Sequence, residues 1–188
     1  ATNNRGERSI EGLTPSNPRV LFGPSASFPV DDDDDSGVFR YVSIRHAGFA
    51  RSPNEEINGL TLGAVGRGTT VEYVEVFANS DDNFEFFGGT VRAKHMVGGF
   101  SGDDTFDTDR GFRGAFQFGF SVNSPGNDAG RCLENDGGVS SLGGEDATPY
   151  SQPVYSNLTC IGAGSTADPS QLGEDSNSAA MQLRDNTG

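Results

Sequence analysis

The stretch Ser80-Asp81-Asp82-Asn83-Phe84-Glu85 recurs nearly unchanged as Gly102-Asp103-Asp104-Thr105-Phe106-Asp107. The two copies lie 22 residues apart, and the same offset maps Gly89 onto Gly111. A constant period of this kind is the signature of a repeat architecture. A unit of this length is too short for two packed helices, but it suits one coil of short strands joined by turns.

The same period extends to both sides of this motif. It pairs Val71 with Ala93 and Ala115, Val74 with Met96 and Phe118, and Tyr73 with His95 and Gln117. Further upstream, Tyr41-Val42-Ser43-Ile44 resembles Tyr73-Val74-Glu75-Val76 at an offset of 32, which predicts one unit with a ten-residue loop within residues 49–56. We therefore predict an all-β chain, folded as a right-handed parallel β-helix with rungs of about 22 residues and long loops. An antiparallel β-sandwich, the competing fold, does not require a constant period.

Stacked rungs place like residues over like and define a predicted interior. The inward positions are expected at Val71, Tyr73 or Val74, Val76, Phe84 and Phe86, with copies at Met96, Phe106, Phe118 and Phe120. Glycines are expected at the corners, where a positive φ costs little, at Gly88-Gly89, Gly98-Gly99 and Gly111.

We expect one domain over residues 1–188. Residues 1–36 form an entry rung, begun by Val20-Leu21-Phe22, and an acidic loop; residues 37–122 form regular rungs, and residues 123–188 form loop-rich rungs. Solenoid ends expose unpaired strand edges unless they are capped. Because no cap pattern is visible, we expect end-to-end stacking on copies of the chain or on the rest of a longer one.

The composition limits the partners of the chain. Asp and Glu outnumber Lys and Arg by 27 to 13, a formal net charge of −14. This charge repels nucleic-acid phosphates and favours divalent cations or basic partners. No stretch approaches the roughly 20 apolar residues of a membrane-spanning helix, and no signal-peptide pattern follows Ala1. We expect a mature form or a fragment that neither binds nucleic acid nor spans a membrane.

Cys132 and Cys160 are the only cysteines in the chain. Their spacing suggests no metal site. The sequence leaves two possibilities open, a disulfide in an oxidising compartment and two free thiols in a reducing one.

Several motifs together resemble a family of secreted parallel β-helix surface proteins of Bacteroidetes and other Gram-negative bacteria. They include Gly66-Arg67-Gly68-Thr69-Thr70-Val71-Glu72-Tyr73-Val74 and Asp81-Asp82-Asn83-Phe84-Glu85-Phe86-Phe87-Gly88-Gly89, with further matches at residues 36–42, 54–62 and 103–109. The resemblance implies export, an outer-surface location and a larger parent chain, and it carries no established catalytic set. The acidic run at residues 31–35 and the two cysteines depart from the family pattern.

The repeated acidic motif is the best candidate for chemistry. The 22-residue offset stacks Asp81 on Asp103, Asp82 on Asp104 and Glu85 on Asp107, at about 4.8 Å in a parallel sheet. Carboxylates at this distance repel one another unless a cation, a raised pKa or a basic neighbour relieves them. Ligands with only oxygen donors indicate Ca²⁺. The candidate ligands are Asp81, Asp82, Glu85, Asp103, Asp104, Asp107 and Asp109.

Two simpler interpretations stay open beside the cation site. The aspartates would form turns by binding their own backbone, with Arg92, Arg110 and Arg113 as counter-charges. The five aspartates at positions 31–35 are best explained as a solvated loop, with a weak Ca²⁺ site or a docking surface for a basic partner as the alternative.

A non-catalytic extracellular scaffold, structural or adhesive, is the predicted function, with surface polysaccharide as a further partner. The alternative is a polysaccharide lyase or hydrolase that uses paired Asp residues as acid and base, with residues 92–95 binding a uronate. The Gly-His-Gly element of polygalacturonases is missing, and Arg92 and Lys94 follow Asp82 too closely for their pattern. We expect His46 and His95 to be packing residues.

Overall fold

The computed structural model of the chain describes residues 1–3, 6–52, 55–124, 130–137, 148–162, 164, 180–185 and 187. Parts of the predicted loops, residues 53–54, 125–129, 138–147, 163 and 165–179, lie outside the described residues. The strands are β1 (Arg8–Ser9), β2 (Leu21–Phe22), β3 (Val38–Arg45), β4 (Leu60–Gly63), β5 (Thr70–Phe77), β6 (Phe84–Phe87), β7 (Arg92–Gly99), β8 (Phe106–Asp109), β9 (Ala115–Val122), β10 (Leu133–Asp136), β11 (Val154–Ile161) and β12 (Met181–Arg184). The described residues contain one 3₁₀ turn, Pro18–Val20, and no helix that is long and apolar enough to cross a membrane.

Two parallel sheets of five strands make up most of the structure. The longer strands form a sheet in the order β11-β9-β7-β5-β3, and the four-residue strands form one in the order β12-β10-β8-β6-β4. The chain alternates between the two sheets from β3 to β12. Each strand therefore pairs in parallel with the next strand but one, which confirms the predicted all-β class and the parallel pairing.

The register between neighbouring strands follows the sequence repeat closely. Val71 pairs with Ala93 and Phe84 with Phe106, each 22 residues apart, and β3 pairs with β5 at the expected offset of 32. Ala93, however, pairs with Phe116 and not with Ala115. The strands β8 and β6 keep the 22-residue offset, so the additional residue lies between Asp109 and Ala115. The predicted pairings with Ala115, Gln117 and Phe118 are therefore wrong by one residue.

The loop that was predicted to lengthen one unit lies mainly where it was expected. Fourteen residues separate β3 from β4, against six between β5 and β6 in the following unit. These eight additional residues lie in residues 46–59, which include residues 49–56. The other two lie between β4 and β5.

Each eight-residue strand bends at its fourth residue. Tyr41, Tyr73, His95, Phe118 and Asn157 all have φ between 55° and 61°, and they are skipped in the register of the pairs that contain them. A left-handed residue interrupts the alternation of side chains along a strand. Val71, Val74 and Val76 therefore point inward, whereas Tyr73 is 41% exposed.

The bend decides which predicted core positions are correct. A single cluster between the sheets buries Val71, Val74, Val76, Phe84, Phe86, Met96 and Phe106, as predicted. Phe118 and Phe120 are 44% and 36% exposed, so their predicted inward position is wrong. The one-residue shift moves Phe116 into the core, where its ring centroid lies 4.4 Å from that of Phe86.

Glycine supplies only some of the corners. Gly88, Gly89 and Gly111 have positive φ as predicted, but Gly98 and Gly99 lie within β7 with ordinary strand geometry. A Cβ on Gly98 would lie 2.3 Å from Cγ2 of Thr105, so this glycine makes room for the interior. The corner is formed one residue later by Phe100, whose N–H donates to Val122 O and continues the ladder.

Residues 1–36 do not add a rung to the parallel sheets. β1 and β2 pair with each other antiparallel in a separate sheet. Phe22 stacks on Phe87, with ring centroids 5.8 Å apart. Because side chains alternate along β6, Phe87 and Glu85 lie on the face opposite to Phe84 and Phe86. The N-terminal segment therefore covers the outer face of this sheet.

Cys132 and Cys160 form a disulfide, with Cα atoms 5.8 Å apart. Cys132 directly precedes β10, and Cys160 lies in β11. The bond therefore links the two parallel sheets.

Candidate metal centre

The repeated acidic motif lies at the start of β6 and β8, on the face that the N-terminal segment covers. Glu85 and Asp107 are register partners on adjacent strands, as predicted. Asp82 and Asp104 precede these strands, and the Asp104 N–H donates to Oδ1 of Asp82 at 2.8 Å. The predicted stacking of the two copies is therefore present.

Asp82, Glu85 and Asp107 form the inner acidic group, in which one oxygen of each residue lies within 4.8 Å of the others. Asp82 and Glu85 are 7% and 2% exposed. Asn58 is also buried, and its Nδ2 donates to Oε2 of Glu85 at 3.2 Å. Four side chains with oxygen atoms thus converge on one buried position.

The charges of the inner acidic group are not neutralised by a basic side chain within the described residues, where no ion pair involves the three carboxylates. Burial raises the pKa of each, and the neighbouring carboxylates raise it further: Asp104 acts on Asp82, Asp107 on Glu85 and Asp82 on Asp107. The site therefore favours binding of a proton or of a metal cation.

A second set of carboxylates lies at the rim of the inner group. Asp81, Asp82 and Asp103 also bring one oxygen each within 4.8 Å of one another, and Asp81 and Asp103 are half-buried. Glu11 of the N-terminal segment lies nearby: burial raises its pKa to about 7, Arg110 opposes the rise and Asp81 adds to it. The rim is thus more accessible to solvent than the inner group.

Two of the seven predicted ligands belong to neither group. Asp104 lies 3.4 Å from Nη1 of Arg131, an ion pair in which both side chains are 1% exposed. Asp109 pairs with Arg110 at 3.2 Å. Because both carboxylates already have a cationic partner, we exclude them from the candidate centre.

The counter-charges were predicted only in part. Arg110 does pair with one of the predicted ligands, Asp109, but Arg113 binds Asp32 instead, at 2.7 Å. No ion pair of Arg92 is found within the part of the chain that the structure describes. The buried counter-charge is Arg131, which also lies 3.5 Å from Glu134. The 22-residue period does not predict this residue.

Asn58 and Arg131 occupy the position of Asp82 and Asp104 in neighbouring rungs. Those rungs differ in length, so a constant period of 22 residues does not find them. The register between β4 and β6 and between β8 and β10 has offsets of 24 and 27, in place of 22. These offsets place Asn58, Asp82, Asp104 and Arg131 at equivalent positions. The residue after each of the first three donates its N–H to the next member of this series: Gly59 to Asp82 O, Asn83 to Asp104 O and Thr105 to Arg131 O. Allowing the offset to vary would have found both.

The acidic run at positions 31–35 is a solvated loop only in part. Asp31, Asp33 and Asp35 are exposed, but Asp32 accepts hydrogen bonds from the N–H and the hydroxyl of Thr2, at 2.9 and 2.7 Å, and pairs with Arg113. Burial tends to raise the pKa of Asp32, but these hydrogen bonds outweigh it and lower the pKa to about 2 from 3.8. Asp32 therefore fastens the N-terminus to the sheets.

We expect Asp32→Asn to lower the free energy of unfolding by about 1–2 kcal/mol near neutral pH, because the variant weakens charge-assisted hydrogen bonds. The depressed pKa means that this stabilisation is present above the ordinary pKa of 3.8 and is lost as the pH falls towards about 2. Urea unfolding at a series of pH values measures it. Asp33→Asn is the control, since Asp33 is 79% exposed, and a pH-independent difference between Asp32→Asn and the parent protein would contradict the assignment.

The exposed rings form a ladder along the bend of the longer sheet. Tyr41, Tyr73, His95 and Phe118 stack in sequence, with centroids 4.9, 4.4 and 4.8 Å apart. Their faces cover one another, so the ladder presents ring edges to solvent. His95 is accordingly a packing residue, as predicted.

The residues invoked for polysaccharide cleavage lie on different sheets. Arg92 and Lys94 lie on β7, in the longer sheet, whereas the aspartates flank strands of the other sheet. Of the proposed acid–base pairs, Asp82 and Asp104 are buried.

Comparison with known protein families matches residues 28–188 to a family described as a pectate-lyase-like β-helix domain. No curated protein and no solved structure matches the chain significantly. The family match spans most of the sequence and agrees with the two parallel sheets, so this chain belongs to the pectate-lyase-like β-helix family.

Proposed function

We propose that this chain is a non-catalytic structural scaffold on the outside of the cell, built as a right-handed parallel β-helix with rungs of about 22 residues. The family match and the parallel sheets support the β-helix, and a right-handed crossover is the general rule for parallel strands.

One observation carries the structural role: side chains on the outside of the longer sheet bind each other from rung to rung. Arg40 lies 3.0 Å from Glu72, Arg45 pairs with Glu75, and the stacked rings run between these ion pairs. Side chains that are satisfied by their neighbours stiffen the sheet and leave few groups directed at a ligand. The outer face of the longer sheet therefore suits a rigid support better than a ligand-binding surface.

The buried acids argue against the alternative of a polysaccharide-active enzyme. General acid–base catalysis requires the carboxyl groups to reach the glycosidic oxygen or a neighbouring water. Asp82 and Glu85 lie beneath other residues, and Asp104 is held by Arg131. Because the matched family is described as pectate-lyase-like, an experiment has to include acidic polysaccharides among the tested ligands.

The disulfide supports an extracellular location, because such bonds persist in oxidising compartments. The resemblance to secreted bacterial surface proteins points the same way. We therefore propose that the scaffold lies outside the cytoplasm, secreted or on the outer cell surface.

We further propose that a second copy of the chain stacks on its ends. Within the described residues, β3 and β11 are the outermost strands of the longer sheet, and Val38 and Val154 at their starts are 72% and 61% exposed. Continuing the register through β9, β7 and β5 would set β11 of one copy on β3 of the next, with Ile161 above Arg45. Unpaired edges of this kind template further pairing.

Sedimentation of the purified chain over a range of concentrations tests the stacking, together with reducing-end and unsaturated-uronate assays on acidic and neutral polysaccharides. We expect reversible self-association and no cleavage. Ile161→Lys would place a lysine above Arg45 of the next copy and should weaken association at least about tenfold. Val97→Lys is the matched control, because Val97 is 41% exposed on a central strand.

Cleavage of any polysaccharide would overturn the non-catalytic assignment. A strictly monomeric chain that binds polysaccharide without cleaving it would favour an adhesive role over a stacked filament. Equal effects of the two lysine variants would contradict the β11-on-β3 interface.

A further inference from the structure

We infer that Asp82, Glu85, Asp107 and Asn58 form a buried site for a single divalent cation, of the Ca²⁺ type, beneath the N-terminal segment. The site is independent of the scaffold role and of stacking. Of the seven predicted ligands, Asp81, Asp103, Asp104 and Asp109 are left out, and the amide of Asn58 is added.

The spacing of the oxygens fits one ion. Two oxygens bound to the same Ca²⁺ at about 2.3–2.6 Å can lie up to about 5 Å apart. One oxygen from each of the three carboxylates lies within 4.8 Å of the other two. Three oxygens spaced evenly around one Ca²⁺ lie up to about 4.5 Å apart, so small side-chain rotations would let one ion contact all three.

Asn58 provides an observation that is independent of the acidic cluster. Its side chain is 95% buried and its amide contacts the carboxylate of Glu85, yet its Oδ1 atom has no hydrogen-bond partner. A buried amide oxygen without a partner costs about 1–3 kcal/mol. Amide oxygens are also ordinary Ca²⁺ ligands. Rotation of the Asn58 amide by about 180° would direct Oδ1 at the position beside Glu85 that Nδ2 occupies, where a cation would satisfy it.

Two of the carboxylates also have a buried oxygen atom without a hydrogen-bond partner. Oε1 of Glu85 and Oδ1 of Asp107 are both buried without a hydrogen-bond partner. Three such oxygens on neighbouring side chains indicate a missing positive group. The donor set contains only oxygen, without histidine or cysteine, which is the chemistry of Ca²⁺ and not of Zn²⁺ or Cu²⁺.

Protons are the competing explanation, because Asp82 and Glu85 are close enough to share a hydrogen bond between their carboxyl groups. A shared proton satisfies that pair, but it provides no donor for Oδ1 of Asn58. A divalent ion can satisfy the amide and all three carboxylates together. The two explanations differ in whether stability depends on metal or only on pH.

The test uses the full chain stripped with EDTA, titrated calorimetrically with Ca²⁺ and melted with and without the ion, with bound metal counted by native mass spectrometry. We expect one bound Ca²⁺ per chain and a clear rise in Tm on its addition. Asn58→Ala should weaken Ca²⁺ affinity by about tenfold or more through loss of one ligand. Glu72→Gln, a substitution of a carboxylate on the other sheet, should leave affinity unchanged.

Glu85→Gln separates the two explanations further. It removes a repelling charge as well as a ligand, so in EDTA it should melt higher than the parent protein, and in Ca²⁺ it should melt lower. Misfolding of the variant would lower its Tm under both conditions, so it cannot reverse the order of the two Tm values. Circular dichroism verifies the β-structure of the variant. No Ca²⁺ bound to the parent protein at millimolar concentration, or equal binding by Glu85→Gln, would overturn the site.

Discussion

Replacing Arg131 with methionine should lower the free energy of unfolding by about 3–5 kcal/mol, because it leaves buried carboxylates without their cation. Arg131 is 1% exposed and lies 3.4 Å from Asp104 and 3.5 Å from Glu134. Methionine keeps much of the side-chain volume, so the loss reports the charge more than a cavity. Urea unfolding followed by circular dichroism measures it.

The pH dependence of this variant distinguishes an electrostatic effect from a packing effect. Burial raises the pKa of Asp104 to about 9 from 3.8, and Glu134 adds to the rise. Removal of the guanidinium raises the pKa of Asp104 above its value in the parent protein, so the folded variant keeps a proton to a higher pH than the folded parent protein does. The deficit relative to the parent protein should therefore grow as the pH rises through about 9 and be larger near about pH 10 than near about pH 7.

Arg92→Met serves as the matched control, since Arg92 is exposed at the start of β7. A surface substitution of this kind should change stability by no more than about 0.5 kcal/mol. A deficit for Arg131→Met that is independent of pH, or equal to that of the control, would show that the buried ion pair does not stabilise the fold.

Phe106→Ala should cost about 3–5 kcal/mol, because it opens a cavity at the centre of the stacked core. The ring is 1% exposed, and its centroid lies 5.2 Å from that of Phe84 and 5.9 Å from that of Phe116. The cavity can be filled only partly by relaxation, since both neighbours are held by the parallel ladder. Equilibrium unfolding in urea gives the value directly.

Phe118→Ala is the same substitution on a ring that the repeat alone places inside. Phe118 is 44% exposed and stacks on His95, so its loss should cost no more than about 1.5 kcal/mol. The ratio of the two losses tests the one-residue shift between β7 and β9. Similar losses would mean that Phe118 is buried and that the register described here is wrong.

The two phenylalanines show where the 22-residue period predicts the position of a side chain correctly and where it does not. A period of 22 aligns Phe106 with Phe84 correctly, since equal numbers of residues connect their strands. It misplaces Phe118, because the connection before β9 is one residue longer. A single additional residue in a turn changes every later pairing, and turn length is decided by how the corner packs.

The candidate metal centre was likewise predictable only in part. Asp82, Glu85 and Asp107 were predicted because acidic residues recur at a constant spacing. Asn58 and Arg131 occupy the position of Asp82 in other rungs, but they are not acidic and their rungs are longer. Whether an aspartate of the motif is available to a metal depends on these two neighbours, and neither belongs to the repeat.

The sequence by itself determined the architecture: a short constant period, β-type apolar runs and turn residues allow only stacked parallel strands, because each unit must bury its apolar face against its neighbours. The tertiary structure alone decided which side chains lie inside, how the acidic residues divide between ion pairs and the candidate cation site, and where the N-terminal segment lies. The physical reason is that periodicity records local backbone geometry, whereas burial and charge pairing depend on left-handed bends, on connection lengths and on a segment that covers one sheet from outside the repeat.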